Sequence, residues 1–171
     1  MSNSHPLYSA DMRPGRTEPM GAQVRDDGVN FAVFSRHAER IEVCVFDANG
    51  QQELQRFSLL GPHDGVFHGF LPGASAGLVY GLRAHGPYQP QEGHCFNPNK
   101  LLLDPYARQI VGRFEWRAEH HAYTLDHPLG TLPYDTRDNG PYALKARGAG
   151  PDRVSAACFN RPRHAASELV L

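Results

Sequence analysis

The side chains here that could do chemistry are carboxylates, imidazoles and thiols. Asp104, Asp126, Asp135 and Asp138 stand among prolines, glycines and asparagines, a setting in which a carboxylate caps turns and loops by accepting backbone N–H groups. Of the ten histidines, His63, His68, His85, His94, His120, His121 and His127 are the ones that could gather around a metal. Their spacings match neither His-Glu-x-x-His nor a His pair followed by a third ligand, so no metal site and no cofactor are expected. His85 and His94 flank a loop and are expected to hold it by hydrogen bonds. Three cysteines, Cys44, Cys95 and Cys158, make an odd count without a Cys-x-x-Cys pair, which argues for neither a disulfide framework nor structural zinc. Cys44 sits inside a strand pattern and reads as a small core residue.

The elements that would position these groups are read from alternation. In Leu78–His85, Leu78, Tyr80, Leu82 and Ala84 share one face and Val79, Gly81, Arg83 and His85 the other. Gly86-Pro87 ends that strand, because proline offers no N–H to a ladder. Earlier in the chain, residues 28–35 place Val29, Phe31 and Val33 opposite Asn30, Ala32 and Phe34. Residues 41–46 place Ile41, Val43 and Val45 opposite Glu42, Cys44 and Phe46. Asn49-Gly50 is a hairpin signal, since both residues tolerate positive φ, and 53–59 is the return strand. Residues 61–65 break the pattern, and 66–71 form the next strand. Short strands with a turn about every ten residues and no helical period predict an all-β fold, an antiparallel sandwich or a small barrel.

After the loop 89–93 comes FNPNKLLLDPY. Pro98 and Pro105 fix φ and bias Asn97 and Asp104 away from the α region, and Asn97 and Asn99 can close tight turns. Lys100 to Asp104 leaves room for about one helical turn. Three consecutive leucines, Leu101, Leu102 and Leu103, cannot all face inward on so short an element. Either the segment builds a second patch of core, or it presents a docking surface for another domain.

At 171 residues with a formal net charge of −1, the chain can bury one core but cannot hold a (β/α)8 barrel, which takes roughly 250 residues. Basic residues do not cluster, so neither nucleic acid nor membrane is expected as a partner. The N-terminus has no apolar h-region, and no apolar run approaches the ~20 residues of a membrane span, so a cytoplasmic protein is expected.

The segment YGLRAHGPY followed by GHCFNPNKLLLDPYA resembles the N-terminal domain of bacterial glycogen debranching enzymes, relatives of isoamylase. The resemblance runs from about Pro14 to about Lys145. It implies an immunoglobulin-like antiparallel β-sandwich, a family 48 carbohydrate-binding module, preceding a (β/α)8 barrel that hydrolyses α-1,6-glucosidic branches. The expected organisation is a disordered tail over 1–13, the sandwich over 14–112 and an irregular arm over 113–150. Over the arm Phe114, Trp116, Tyr123, Tyr134 and Tyr142 are expected to serve as aromatic anchors. Residues 151–171 are expected to be a truncated linker toward the missing barrel. Within it, Arg161 to His164 and Ser167 to Leu171 resemble the approach to the first barrel strand, with Ala165-Ala166 where the family usually has Pro-Trp. The family's catalytic carboxylates lie on barrel loops, the two working ones about 5 Å apart, so the resemblance assigns no catalytic residue here.

Sugar rings are bound by aromatic faces flanked by amide or charged side chains. Phe67, Tyr80, Tyr88 and Trp116 are the candidates, with core packing the competing role for Phe67 and Tyr80. Stand-alone relatives generally show two exposed tryptophans. Phe67 falls near the place of one, and no tryptophan stands at the other, so contact with glycogen or α-glucan is expected to be weak. The domain-docking candidates are Asn97, Pro98, Asn99, Lys100, Leu101, Leu102, Leu103, Asp104, Pro105 and Tyr106. The expected partner is the (β/α)8 catalytic domain of the same chain. A free-standing glucan-binding module and an immunoglobulin-like protein-interaction module are the alternatives.

Overall fold

The alternating segments fold as strands with nearly the boundaries their patterns predict. A computed structural model describes Tyr8 and residues 11–150. Its strands are β1 (Gly21–Arg25), β2 (Gly28–Phe34), β3 (Arg40–Phe46), β4 (Glu53–Ser58), β5 (Leu60–His63), β6 (Val66–Pro72), β7 (Val79–His85), β8 (Tyr88–Gln89), β9 (His94–Cys95), β10 (Gln109–Val111) and β11 (Lys145–Arg147). One large sheet has the order β1-β2-β6-β5 and the other β10-β11-β7-β3-β4, and β8 and β9 form a separate two-stranded sheet. Every strand pair is antiparallel. The molecule is an all-β sandwich.

The core lies between the sheets and takes the faces that the alternation assigns. Val29, Phe31 and Val33 from β2 and Phe67 and Leu71 from β6 meet Ile41, Val43 and Val45 from β3 and Tyr80 and Leu82 from β7. Phe31 and Tyr80 meet edge to face across the layers, with ring centroids 5.1 Å apart. Edge-on rings place a positive rim on a negative face, which adds about 0.5–1.5 kcal/mol to the burial of their area.

The second sheet is also covered on its outer face. Cys44, Phe46 and Val79 pack there with Leu101 and Ala143 into a smaller cluster. Gly81 makes this possible: a Cβ on it would stand 2.7 Å from the Leu101 side chain. The residues of β3 and β7 that face away from the core therefore form the floor on which the rest of the chain is laid.

Several expectations change. Residues 61–65 do not interrupt the sheet, because Leu60–His63 pairs with β6. The tight hairpin is Asp64-Gly65, where φ is 51° and 79°, as a two-residue turn with both φ positive requires. At Asn49-Gly50 only the glycine has positive φ. The Asp47 carboxylate accepts the N–H groups of Gln51 and Gln52 and closes a longer loop. The arm does not stay outside the sandwich after residue 112, because β11 returns between β10 and β7; three residues are too few to show an alternation. The chain also engages the sandwich before Pro14. Arg13 bridges to Phe70 through two 2.8 Å backbone hydrogen bonds, and Tyr8 meets Phe57 edge on. The expected linker and strand opening over 151–171, with Cys158, lie outside the described residues. Among the described residues no helix is long and apolar enough to cross a membrane, and no group of three or more His, Cys, Asp or Glu side chains is placed to hold a metal ion.

Candidate functional site

The segment 97–106 joins the sandwich to the arm, and it does so with polar groups turned inward. Pro98 and Pro105 favour extended backbone before them; each sits in a turn, closed by the Lys100 N–H on the Asn97 carbonyl and by the Ala107 N–H on the Asp104 carbonyl, and residues 101–103 between the turns form no helical turn. Leu102 exchanges backbone hydrogen bonds with Leu82, of 2.8 and 2.9 Å. With β11 paired to Val79 and Tyr80, this bridge continues the cover over the free edge of β7, removing N–H and C=O groups that would otherwise invite another strand.

Each buried polar side chain of the segment has a partner. The Asn97 amide donates to the carbonyls of Ala122 and Asp135, at 3.0 and 2.7 Å. Its oxygen accepts the Asn99 N–H. The Lys100 ammonium lies 3.1 Å from the Asp135 carboxylate and donates to the Arg137 carbonyl at 2.7 Å. Asn139 holds Leu101 at both its N–H and its C=O. The Asp104 carboxylate accepts the Tyr80 hydroxyl at 2.6 Å and the Tyr106 N–H at 2.8 Å. Arg83, buried on β7, reaches the Pro98 carbonyl and the carboxylates of Glu53 and Asp138.

The electrostatics follow from these contacts. Burial and the neighbouring Asp104 carboxylate push the Tyr80 hydroxyl well above its usual range, so it remains a donor. Burial opposes ionisation of Asp135, but hydrogen bonds from Arg137 and Lys100 overcome it and bring the carboxyl down to about 2. Burial pushes the Cys44 thiol up to about 12, which makes it an inert core residue. None of this is an acid–base or nucleophilic arrangement. Asp104, Asp135 and Asp138 are committed to structural partners, and Asp126 occupies a left-handed turn at φ 56°.

Of the docking candidates, Asn97, Lys100, Leu101 and Asp104 are buried; the first three hold the chain's own arm at residues 122–139, and Asp104 holds Tyr80 and Tyr106. Pro98, Asn99 and Leu103 are half-buried. Leu102, Pro105 and Tyr106 are exposed, Leu102 at 47% of its surface. Beside Leu102 lies a mostly apolar cleft of about 220 Å³, lined by Phe34, Ile41, Phe96, Leu103 and Pro105 among others.

The glycan candidates separate as well. Phe67 is 1% exposed and belongs to the core, because β6 turns it toward the opposite sheet; it offers no face to a sugar. Tyr80 is buried with its hydroxyl on Asp104. Tyr88 is half-buried, donates to the Thr131 carbonyl at 2.8 Å and meets Tyr134 edge on. Trp116 is 75% exposed.

Of the five aromatic residues expected to anchor the arm, Phe114, Trp116 and Tyr134 stand exposed, whereas Tyr123 and Tyr142 are half-buried, Tyr142 under the Arg117 guanidinium. The fully buried anchors are the polar groups Asn97, Lys100, Asp135 and Asn139. The dense polar run Asp135-Thr136-Arg137-Asp138-Asn139 was the available signal for them. His85 pairs with Glu42 on β3 at 2.8 Å instead of tying the loop, whereas His94 stacks on Phe96 and meets His37.

A family model described as carbohydrate-binding module 48 (isoamylase N-terminal domain) matches residues 19–107. Among solved structures, the product complex of the multi-modular glycogen-degrading pneumococcal virulence factor SpuA aligns with a TM-score of 0.51 at 19% identity, covering 85% of this chain and 12% of that one. The catalytic module of the same factor aligns with a TM-score of 0.51 at 18% identity, covering 83% and 17%. Apo pullulanase from Paenibacillus barengoltzii aligns with a TM-score of 0.46 at 18% identity, covering 56% and 13%. The chain thus spans less than a fifth of the length of these solved chains.

Proposed function

The chain belongs to the carbohydrate-binding module 48 family, the isoamylase N-terminal domains, and on that premise we propose that it is the accessory sandwich of an α-1,6-glucosidase that debranches glycogen. In this reading it rests on a (β/α)8 catalytic domain and helps to shape the substrate cleft. It contributes no catalytic residue, and it meets glycogen or a related α-glucan weakly. The resemblance of GHCFNPNKLLLDPYA to the debranching enzymes supports the finer assignment, and the family supports the accessory carbohydrate-binding role.

The observation that carries the docking reading is Leu102. The segment around it is pinned on both sides by buried polar contacts, yet Leu102 itself is held out at 47% exposure, next to exposed Pro105 and Tyr106. Burying a leucine fully is worth about 1.5–3 kcal/mol, so a rigid, bare leucine beside an apolar cleft suits a surface that another domain covers. That the solved relatives are five or more times longer than the matched region fits a partner supplied by the same chain.

The test is sedimentation velocity with thermal melts. The isolated chain is expected to self-associate through this patch. Leu102→Ser should reduce association while changing stability by about 0.5 kcal/mol or less, whereas Leu101→Ser should cost about 2–5 kcal/mol. Unchanged association together with a loss of several kcal/mol for Leu102→Ser would overturn the docking surface. The purified chain should release no reducing sugar from glycogen or limit dextrin.

A further inference from the structure

Before β1 the chain crosses the face of the β1-β2-β6-β5 sheet that is turned away from the core. Arg13 exchanges backbone hydrogen bonds with Phe70 at the edge of β6. Gly15 lies so close to Gly69 that a Cβ on it would stand 2.6 Å from the Gly69 carbonyl carbon. The Asn30 amide clasps Arg16, accepting its N–H at 2.7 Å and donating to its C=O at 3.0 Å. Between these contacts the Gly15 N–H donates to His68 Nδ1 at 3.2 Å. His68 is 6% exposed, and its Nε2 lies 2.7 Å from Nδ1 of the exposed His63. These contacts assign the ring protons. A nitrogen that accepts an N–H carries no proton, so the proton of neutral His68 sits on Nε2. His63 Nδ1 accepts it, which leaves the His63 proton on its own Nε2. The space between the rings holds one hydrogen. A further proton taken up with the bridge intact must therefore go to His68 Nδ1, the position that faces the Gly15 N–H.

We propose that the His63–His68 pair is an acid-sensitive latch: a proton on His68 Nδ1 sets two N–H groups against each other and releases residues 13–16 from β6 and β2. His63 takes the proton alone only by turning into solvent and giving up the bridge. The charged groups around the pair are Glu18 on the crossing segment and Asp64 in the turn, which line one cleft with both rings. Their charge draws a proton toward the pair. Opposite His68 in the sheet stand Ala32 on β2 and Leu60 on β5, which are uncharged. Arg16 lines a neighbouring cleft with Arg25 and Asp27. Burial and the nearby His63 hold His68 below the 6.5 of an ordinary imidazole. The closed segment thus favours the neutral ring. Its stability is complete above that ordinary value and is lost as pH falls below it, until the closed ring itself titrates. Release bares the N–H and C=O of Phe70 at the edge of β6, groups with which another strand can pair.

Amide hydrogen exchange of the full chain tests the latch, read as protection factors so that the pH dependence of exchange itself cancels. Opening takes up one proton. Protection of Gly15, Arg16 and Phe70 should therefore fall about tenfold between about pH 6.5 and about pH 5.5, while Val43 in the core of β3 keeps its protection. His68→Asn places a side-chain oxygen where Nδ1 stands and does not titrate, so it should keep the segment protected at both pH values. His68→Phe keeps a ring without an acceptor and should leave the segment unprotected at both. Nitrogen-15 shifts of the rings should show His68 Nδ1 unprotonated at about pH 7.5. Wild-type protection of Gly15 and Arg16 that stays constant across this range would overturn the latch. So would a fall in His68→Asn equal to that of the wild type, or a fall that Val43 shares.

Discussion

The sandwich and the arm are held by different physics. Between the sheets, Val29, Phe31, Val43, Val45 and Leu71 are fully buried apolar groups, and their stability comes from area removed from water. The arm has few such groups. It is fixed to the outer face of β3 and β7 by Asn97, Lys100, Asp135 and Asn139, each buried and each satisfied by a partner. Apolar packing tolerates loose chemistry so long as volume is kept. A buried polar pin fails sharply when one partner is removed, because the other is left without its hydrogen bond. The arm should therefore come loose as a unit while the sandwich stays folded.

The largest effect that could break this contrast is Phe31→Ala. Removing a fully buried ring that meets Tyr80 should cost about 3–5 kcal/mol and melt sandwich and arm together, as followed by calorimetry and Trp116 emission. Lys100→Met comes next. It leaves Asp135 buried with the Arg137 N–H and the partly exposed Arg137 guanidinium as its remaining partners, and losing one member of a buried pair costs up to about 3 kcal/mol. The expected signature is selective: proteolysis within 113–144 and a change in Trp116 emission, both before the main melt. A single transition shared by both probes would show that arm and sandwich are one cooperative unit.

Acid gives a smaller and graded effect. The Asp135 carboxyl falls from the ordinary 3.8 to about 2 in the fold. The folded state therefore favours the ionised form. That stabilisation is complete above the unfolded value and is lost as pH falls from about 4 toward about 2, on the order of 2 kcal/mol in all. The arm should loosen in that window, and Asp135→Asn should flatten the dependence. Stability of the wild-type arm that does not change between pH 4 and 2 would refute the assignment. Least affected in stability should be Leu102→Ser, whose consequence lies in association.

What was legible in the sequence was whatever repeats with the period of a strand. Faces of 28–34, 40–46 and 79–85 could be assigned because successive strand side chains must point oppositely, so a run of alternating residues reports which of them share the core face; that the other face is buried too came from segments laid over it. The resemblance carried by GHCFNPNKLLLDPYA likewise pointed to the family that residues 19–107 match. Residues 61–65 were visible as a break in the pattern but not as a strand end and hairpin, because β5 shows no alternation of its own and forms by pairing with β6. Which of Leu101, Leu102 and Leu103 faces inward was undecided by composition. The notch at Gly81 and the bridge to Leu82 decided it. Phe67 and Trp116 were equal as aromatic residues; only the opposing sheet buries the first, and only the route of the arm exposes the second. Local pattern fixes the direction of a side chain relative to its own backbone. What that side chain then meets depends on segments tens of residues away, and those contacts exist only once the chain has closed on itself.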